Sequence, residues 1–311
     1  MRVGLRGFTD FGAERLLLTP PRKRRKGGKS AALVFHAQGA IAALLLMIVK
    51  PSSADPLPPA PETGACSLED ATPVTVALVD DDLDLLLDDG RRVTLAGLEY
   101  PADAGLRGAA RKALSDWLAG RQAFLAAAGT SRWGGAPGRL FAAAAARENA
   151  PLVSAGAALL DAGLARYRPD AAAAPCVQPY LAAEGPARAA GRGLWALPGS
   201  AVIDLAASSA GASGQRELFL NRKGMILVEG VVRSVGAAHG TSYLNFGLRK
   251  GADFAVVISR RNLGMFERAG MSPQALIGRR MRVRGLIETT SGPRIEVSAP
   301  SDIEFVEPAR P

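Results

Sequence analysis

The chain has 311 residues, 48% of them hydrophobic and only 5% aromatic, enough for two ordinary domains whose cores are built largely from small side chains. Its formal net charge of +9 sits almost entirely at one end: residues 1–54 carry 10 Lys/Arg against 2 Asp/Glu, residues 55–200 carry 13 against 17, and residues 201–311 carry 15 against 10. A basic isoelectric point is therefore no sign that the mature chain grips nucleic acid, and the sign change between halves carries more information.

Arg22-Lys-Arg-Arg-Lys26 and Lys29 precede an apolar run that is clean from Gly39 to Val49. That length suits the core of a signal peptide and falls short of the roughly 20 residues a spanning helix needs. Pro51-Ser-Ser-Ala54 puts small residues at the −3 and −1 positions of a cut after Ala54. Residues 1–54 are thus read as a signal peptide, and the mature protein is expected in the periplasm or outside the cell. The alternatives are an uncleaved anchor, which is the only route to a membrane, and a basic tail followed by a core helix. Residues 55–65 are a Pro-rich extended linker. Export gives the two cysteines, Cys66 and Cys176, a single possible bridge. Two free thiols or a lipid-modified Cys66 are the competing readings.

In residues 66–200, three short β-branched or leucine-rich runs, Val74–Val79, Leu83–Leu87 and Val93–Leu98, read as strands. Asp88-Asp89-Gly90 forms the hairpin turn between the last two, because Asp-Gly supplies the positive φ such turns require. From Asp103 the apolar positions Leu106, Ala110, Leu114 and Leu118 recur at helical spacing up to Gly120. Ala123–Ala128 and Leu140–Ala146 read as two further strands around a Gly-rich loop. Pro151 is expected to open a helix through Leu164, and a last helix runs toward Gly191-Arg-Gly-Leu-Trp195, broken at Pro186. Trp117, Trp133 and Trp195 read as core fillers.

Three stretches in this order, Asp88–Pro101, Leu159–Tyr167 and Leu181–Trp195, resemble staphylococcal nuclease-like (thermonuclease) domains over about 130 residues. The resemblance implies a five-stranded oligonucleotide-binding (OB) barrel with helices. It also implies a site made of two metal-binding carboxylates, a general-base carboxylate and two arginines, the set that Ca²⁺-dependent phosphodiester hydrolysis needs. The family pattern is Asp-Gly-Asp-Thr, then Arg-Leu-x-Gly-Ile-Asp-x-Pro-Glu, then Tyr-Gly-Arg. Aligned without gaps, Leu83 falls on the first metal-binding aspartate; a one-residue slide makes Asp82 and Asp84 the Asp-x-Asp pair. Thr94 stands in the arginine slot, Glu99 in the second metal slot, and Ala102 in the general-base slot with Asp103 beside it. Gly138-Arg139 keeps the final Gly-Arg, behind the insert Gly134-Gly-Ala-Pro137. Candidate remnants are therefore Arg139 and Glu99 for catalysis, and Asp82, Asp84 and Glu99 for Ca²⁺. The acidic run Asp80–Asp84 equally fits a solvated strand edge whose charge discourages aggregation.

Residues 201–219, rich in Ala, Ser and Gly, read as a linker. In residues 220–308, strands at Gly224–Val235, Thr241–Leu248 and Phe254–Ile258 are followed by helical pieces at Leu263–Ala269 and Pro273–Ile277. Strands at Arg279–Glu288 and Arg294–Val297 complete the set. Three strands, helix, two strands is OB order. Tyr243, Phe246, Arg282 and Arg284 are the candidate nucleic-acid contacts; the competing reading makes the phenylalanine core and the arginines a solvated strand face.

The fold class expected is mainly β with helices (α+β): a nuclease-like OB barrel followed by a second OB barrel. The function expected is binding of a polyanion, single-stranded nucleic acid above all, or a protein-interaction role at the cell envelope, without efficient catalysis and with no cofactor. The enzyme alternative is a Ca²⁺-dependent phosphodiesterase that uses the shifted carboxylates Asp82, Asp84, Glu99 and Asp103 with Arg139.

Overall fold

Five strands roll into the first barrel because their leucines and valines alternate inward. The computed structural model describes residues 68–129, 135–146, 149–206 and 214–306, together with Leu57 and Cys66. The signal-peptide and cleavage-site readings, most of the Pro-rich linker, and Trp133 lie outside the described residues. Strands β1 (Thr72–Val79), β2 (Leu85–Leu87) and β3 (Arg92–Leu95) form an antiparallel meander, and Gly90 supplies the positive φ (+82°) of the β2–β3 hairpin. A short β4 (Leu98–Glu99) leads into helix α1 (Ala104–Leu118). The Asp103 side chain accepts the Leu106 N–H at the helix start, and Ala110, Ala113, Leu114 and Leu118 form its buried face.

Strands β5 (Gln122–Ala127) and β6 (Ala136–Ala143) follow; β5 pairs with β1, and β6 closes the ring by running parallel to β3. The barrel order is thus β1-β2-β3-β6-β5 and back to β1. Val76, Leu85, Leu87, Leu125 and Leu140 are at most 2% exposed and fill it. By the usual area bookkeeping each such side chain contributes about 1.5–3 kcal/mol.

Residues after Pro151 do not begin a helix. They first form β7 (Leu152–Ser154), which pairs with β6, and only then α2 (Ala155–Asp161), capped by Ser154. Strand β8 (Arg166–Tyr167) pairs with β4, and α3 (Val177–Ala189) packs on α2. The break expected at Pro186 is absent, for a local reason. Gly185 has no Cβ to clash with the proline ring, and the carbonyl that loses its donor belongs to exposed Ala182. Cys176, at the N-terminus of α3, is bonded to Cys66, with Cα atoms 4.6 Å apart. The bridge closes 110 residues, for which chain entropy gives at most about 4–5 kcal/mol.

The stretch read as a second linker contributes β9 (Ile203–Asp204), which lies parallel to β10 (Met225–Val231). Strand β10 bends at Val232–Arg233 into β11 (Ser234–Ala238). Through this bend the second barrel closes: β11 pairs with β12 (Thr241–Asn245), while β10 pairs with β14 (Arg280–Glu288). Strands β13 (Ala255–Ile258) and β15 (Arg294–Val297) complete it, α4 (Arg260–Arg268) intervenes, and β16 (Ile303–Phe305) adds to β14. Five strands in the order β10/β11-β12-β13-β15-β14 make the second OB arrangement.

The two barrels pack together within one compact unit. Ala187, Leu194 and Trp195 of the first meet Leu227 of the second in a small apolar cluster. Beside it, Arg284 of β14 donates to the Tyr167 carbonyl oxygen at 2.7 Å and to Glu184 at 2.8 Å, and also pairs with Glu304. Its ring neighbour is Tyr167, 4.9 Å from the guanidinium carbon.

Candidate functional site

The acidic loop between β1 and β2 is organised around Asp80, whose Oδ1 accepts the N–H groups of Asp82 and Asp84, both at 3.0 Å. That turn puts Leu83 at a left-handed φ of +69° and drives its side chain into the core, 1% exposed. Leu83, the residue in the metal-aspartate slot, is therefore a plug of the barrel. Its neighbours diverge: Asp82 faces solvent, while Asp84 turns inward and accepts from the Thr94 hydroxyl at 2.6 Å. Arg92 completes the cluster, 2.5 Å from Asp80 and 3.8 Å from Asp84. Thr94, in the arginine slot, is thus bound to the very carboxylate a cation would need.

Glu99 is diverted as well. Arg166 of β8 grips it through two hydrogen bonds, at 2.8 and 3.0 Å, a bidentate pairing made possible by the β4–β8 register. Asp103 is engaged as the α1 cap. Among the described residues, no group of three or more His, Cys, Asp or Glu side chains converges as a metal-binding set. Asp82, Asp84 and Glu99 have different surroundings: Asp84 accepts from Thr94, Glu99 is held by Arg166, and Asp82 is exposed.

Arg139 lies on β6 with its side chain 92% removed from solvent, since the residue is 8% exposed. It makes no ion pair among the described residues, and its Nε has no hydrogen-bond partner. Tyr180 is close enough to feel its charge; burial raises the Tyr180 pKa, while a hydrogen bond with Ser154 and the Arg139 charge oppose the rise. Burial likewise pushes Tyr100 well above the ordinary tyrosine range, with Tyr180 and Asp84 adding to the shift, and its occluded hydroxyl has no hydrogen-bond partner among the described residues. A buried cation beside the protonated Tyr180 phenol offers charge and donors to an anion but is not itself a base that could activate water.

In the second barrel the expected contacts separate. Phe246 is core, 4% exposed and edge-on to Phe254 at 5.3 Å. Arg282 and Arg284 do share a face, together with Arg280, but Arg284 meets the first barrel, while Arg280 and Arg282, 30% and 18% exposed, are tied up in ion pairs within the second. Arg280 pairs with Glu229 at 2.8 Å and Asp204 at 3.0 Å; Arg282 pairs with Glu229 at 2.7 Å and Glu304 at 3.1 Å. Arg188 of α3 joins through Glu184 at 3.0 Å. Burial alone would strip the proton from Arg284 more easily, yet Glu184 and Glu304 outweigh it and raise its pKa. Neither arginine is available to phosphate. The carboxylate that answers them, Glu304, follows the same alternation in Ile303-Glu304-Phe305, and this matched Arg/Glu period was the available signal.

Tyr243 is the expected contact that does line a surface groove, of about 280 Å³, on the β11–β12–β13 face. Asn245, Lys250 and Arg294 line it too, with small residues such as Gly236 and Gly292 between them. Arg294 is fixed by two hydrogen bonds to Glu288, at 2.7 and 3.0 Å. Composition flagged none of these three, because Lys250, in a turn, and Arg294, at the start of β15, lie far apart in sequence and only barrel closure unites them.

No protein-family model and no curated protein sequence matches the chain. Among solved structures it is similar to the extended Tudor domain of Drosophila melanogaster Tudor-SN (p100), at 22% identity and a TM-score of 0.29, over 34% of this chain and 47% of that one. The chain thus spans about half the length of that structure. Among the described residues, no helix is long and apolar enough to cross a membrane.

Proposed function

We propose that this is an exported binding protein whose first barrel no longer cuts phosphodiesters and whose second barrel holds an anionic polymer, single-stranded nucleic acid foremost, in the Tyr243 groove. The observation that carries the reading is the groove itself: an accessible tyrosine with Asn245, Lys250 and Arg294 around it, on the strand face that OB barrels use for oligomers. The non-catalytic half rests on the capture of Glu99 by Arg166 and of Asp84 by Thr94. Loss of one charge-stabilising group typically costs about 10²–10³ in rate, and here several are lost together. The Cys66–Cys176 bridge fits an oxidising compartment such as the periplasm.

Fluorescence anisotropy with a labelled single-stranded oligonucleotide tests the reading. Affinity is expected to fall as salt rises, since phosphate contacts release counterions. Tyr243→Ala should weaken binding by about 1–3 kcal/mol, the range for a lost base–aromatic stack. Binding absent at low salt, or indifferent to Tyr243→Ala, would refute the nucleic-acid assignment and leave a protein-interaction role.

A further inference from the structure

The structure holds a second cleft, of about 570 Å³, whose walls come from both barrels. The first barrel contributes Glu99, Asp103, Arg107 and Arg166; the second contributes Lys223 and Met225. Both carboxylates are already engaged. Glu99 is held by Arg166, and Asp103 accepts the Leu106 N–H at 2.9 Å. The remaining cations, Arg107 and Lys223, make no ion pair or side-chain hydrogen bond among the described residues. The lining therefore carries three positive groups against two committed negative ones, and its two uncommitted charges lie on opposite domains.

From this geometry we infer that the cleft binds a small phosphorylated molecule, most simply one bearing a diphosphate, clamped between Arg107 and Lys223. A guanidinium fork and a compact ammonium on two sides match the several acceptor oxygens of such a group better than a single carboxylate would use them. The volume is that of a small-molecule site, and Leu194, Leu197 and Met225 offer an apolar wall for an organic portion. Arg166, pinned by its two bonds to Glu99, presents its remaining N–H edge without reorganisation. The site is separate from the Tyr243 groove and stands or falls independently of it. It shares Glu99 and Asp103 with the shifted carboxylate set, but Asp82, Asp84 and Arg139 do not line it.

Isothermal titration of the disulfide-bonded mature chain with pyrophosphate at low ionic strength is the test. Binding is expected, with Arg107→Gln and Lys223→Gln each weakening it about tenfold, as loss of one charge-assisted contact should. Both side chains are solvent-accessible, so both variants fold; Tyr243→Ala should leave pyrophosphate binding unchanged while impairing oligonucleotide binding. Absence of binding, or wild-type affinity in either glutamine variant, would overturn the site. A loss of pyrophosphate binding in Tyr243→Ala would also overturn it, by placing the anion in the other groove.

Discussion

Replacing Arg284 by Met probes the joint between the barrels. The Arg284 and Glu184 side chains are both 0% exposed, and Glu304 is 13% exposed. Removing the guanidinium leaves Glu184 buried, with Arg188 at 3.0 Å and the Tyr167 N–H at 2.9 Å as its remaining partners. Breaking one side of a buried pair costs about 3–5 kcal/mol, and the surviving partners place this case near the lower end, about 3 kcal/mol. For a unit of this size that corresponds to a fall of about 6–12 °C in Tm. The double variant Glu184→Gln/Arg284→Met removes both charges and should recover more than half of the loss, because a buried ion pair is commonly replaceable by uncharged groups. Urea denaturation of the wild type, both single variants and the double variant closes the cycle. A cost below about 1 kcal/mol for Arg284→Met, or strictly additive single effects, would show that the network is decoration and that apolar contact alone joins the barrels.

Other consequences concern acid, redox state and backbone. Burial by itself raises the Glu304 carboxyl, but the Arg284 guanidinium more than offsets this and holds it below the ordinary glutamate range. Its contribution to stability is therefore complete above the unfolded value, about 4.3, and is lost as pH falls through the lower folded value. Glu304→Gln should flatten the acid limb of a stability–pH curve below about pH 4.5; an unchanged limb would contradict this. Cys66→Ser/Cys176→Ser, or dithiothreitol, should lower stability by about 2–5 kcal/mol in urea, and no change would argue that the bridge does not form. Gly97 adopts φ +77°, and a Cβ there would collide with Ala173, so Gly97→Ala should destabilise by more than about 1 kcal/mol, where a conformationally compatible replacement would stabilise. Thermal unfolding reads it.

How much of this was legible in the sequence follows from which forces are local. Strand alternation, the Asp88-Asp89-Gly90 turn and the Asp103 cap act over a few residues, and the first three strands and α1 lie close to where the pattern places them. The 152–154 strand was hidden because Leu152-Val-Ser is too short to show a period before the helical leucines begin. Helix α3 survives Pro186 because of Gly185, a context effect that a bare proline penalty ignores. At the sites, the substitutions at Thr94 and Ala102 could be seen directly, but the partners that capture Asp84 and Glu99 could not. Glu99 meets Arg166 across 67 residues, and Arg284 meets Glu184 across 100. A strand of alternating arginines looks the same whether it faces water or another domain. Only the packing of the second barrel on α3 decides that.

The most direct measurement is digestion of single- and double-stranded DNA by the purified mature chain with Ca²⁺ and with chelator, run beside anisotropy on the same oligonucleotide. Salt-sensitive binding that needs Tyr243, with no metal-dependent shortening of the DNA, is the predicted outcome. Rapid Ca²⁺-dependent cleavage that disappears in Glu99→Gln would contradict it, since Glu99 would then have to leave Arg166 and hold a cation.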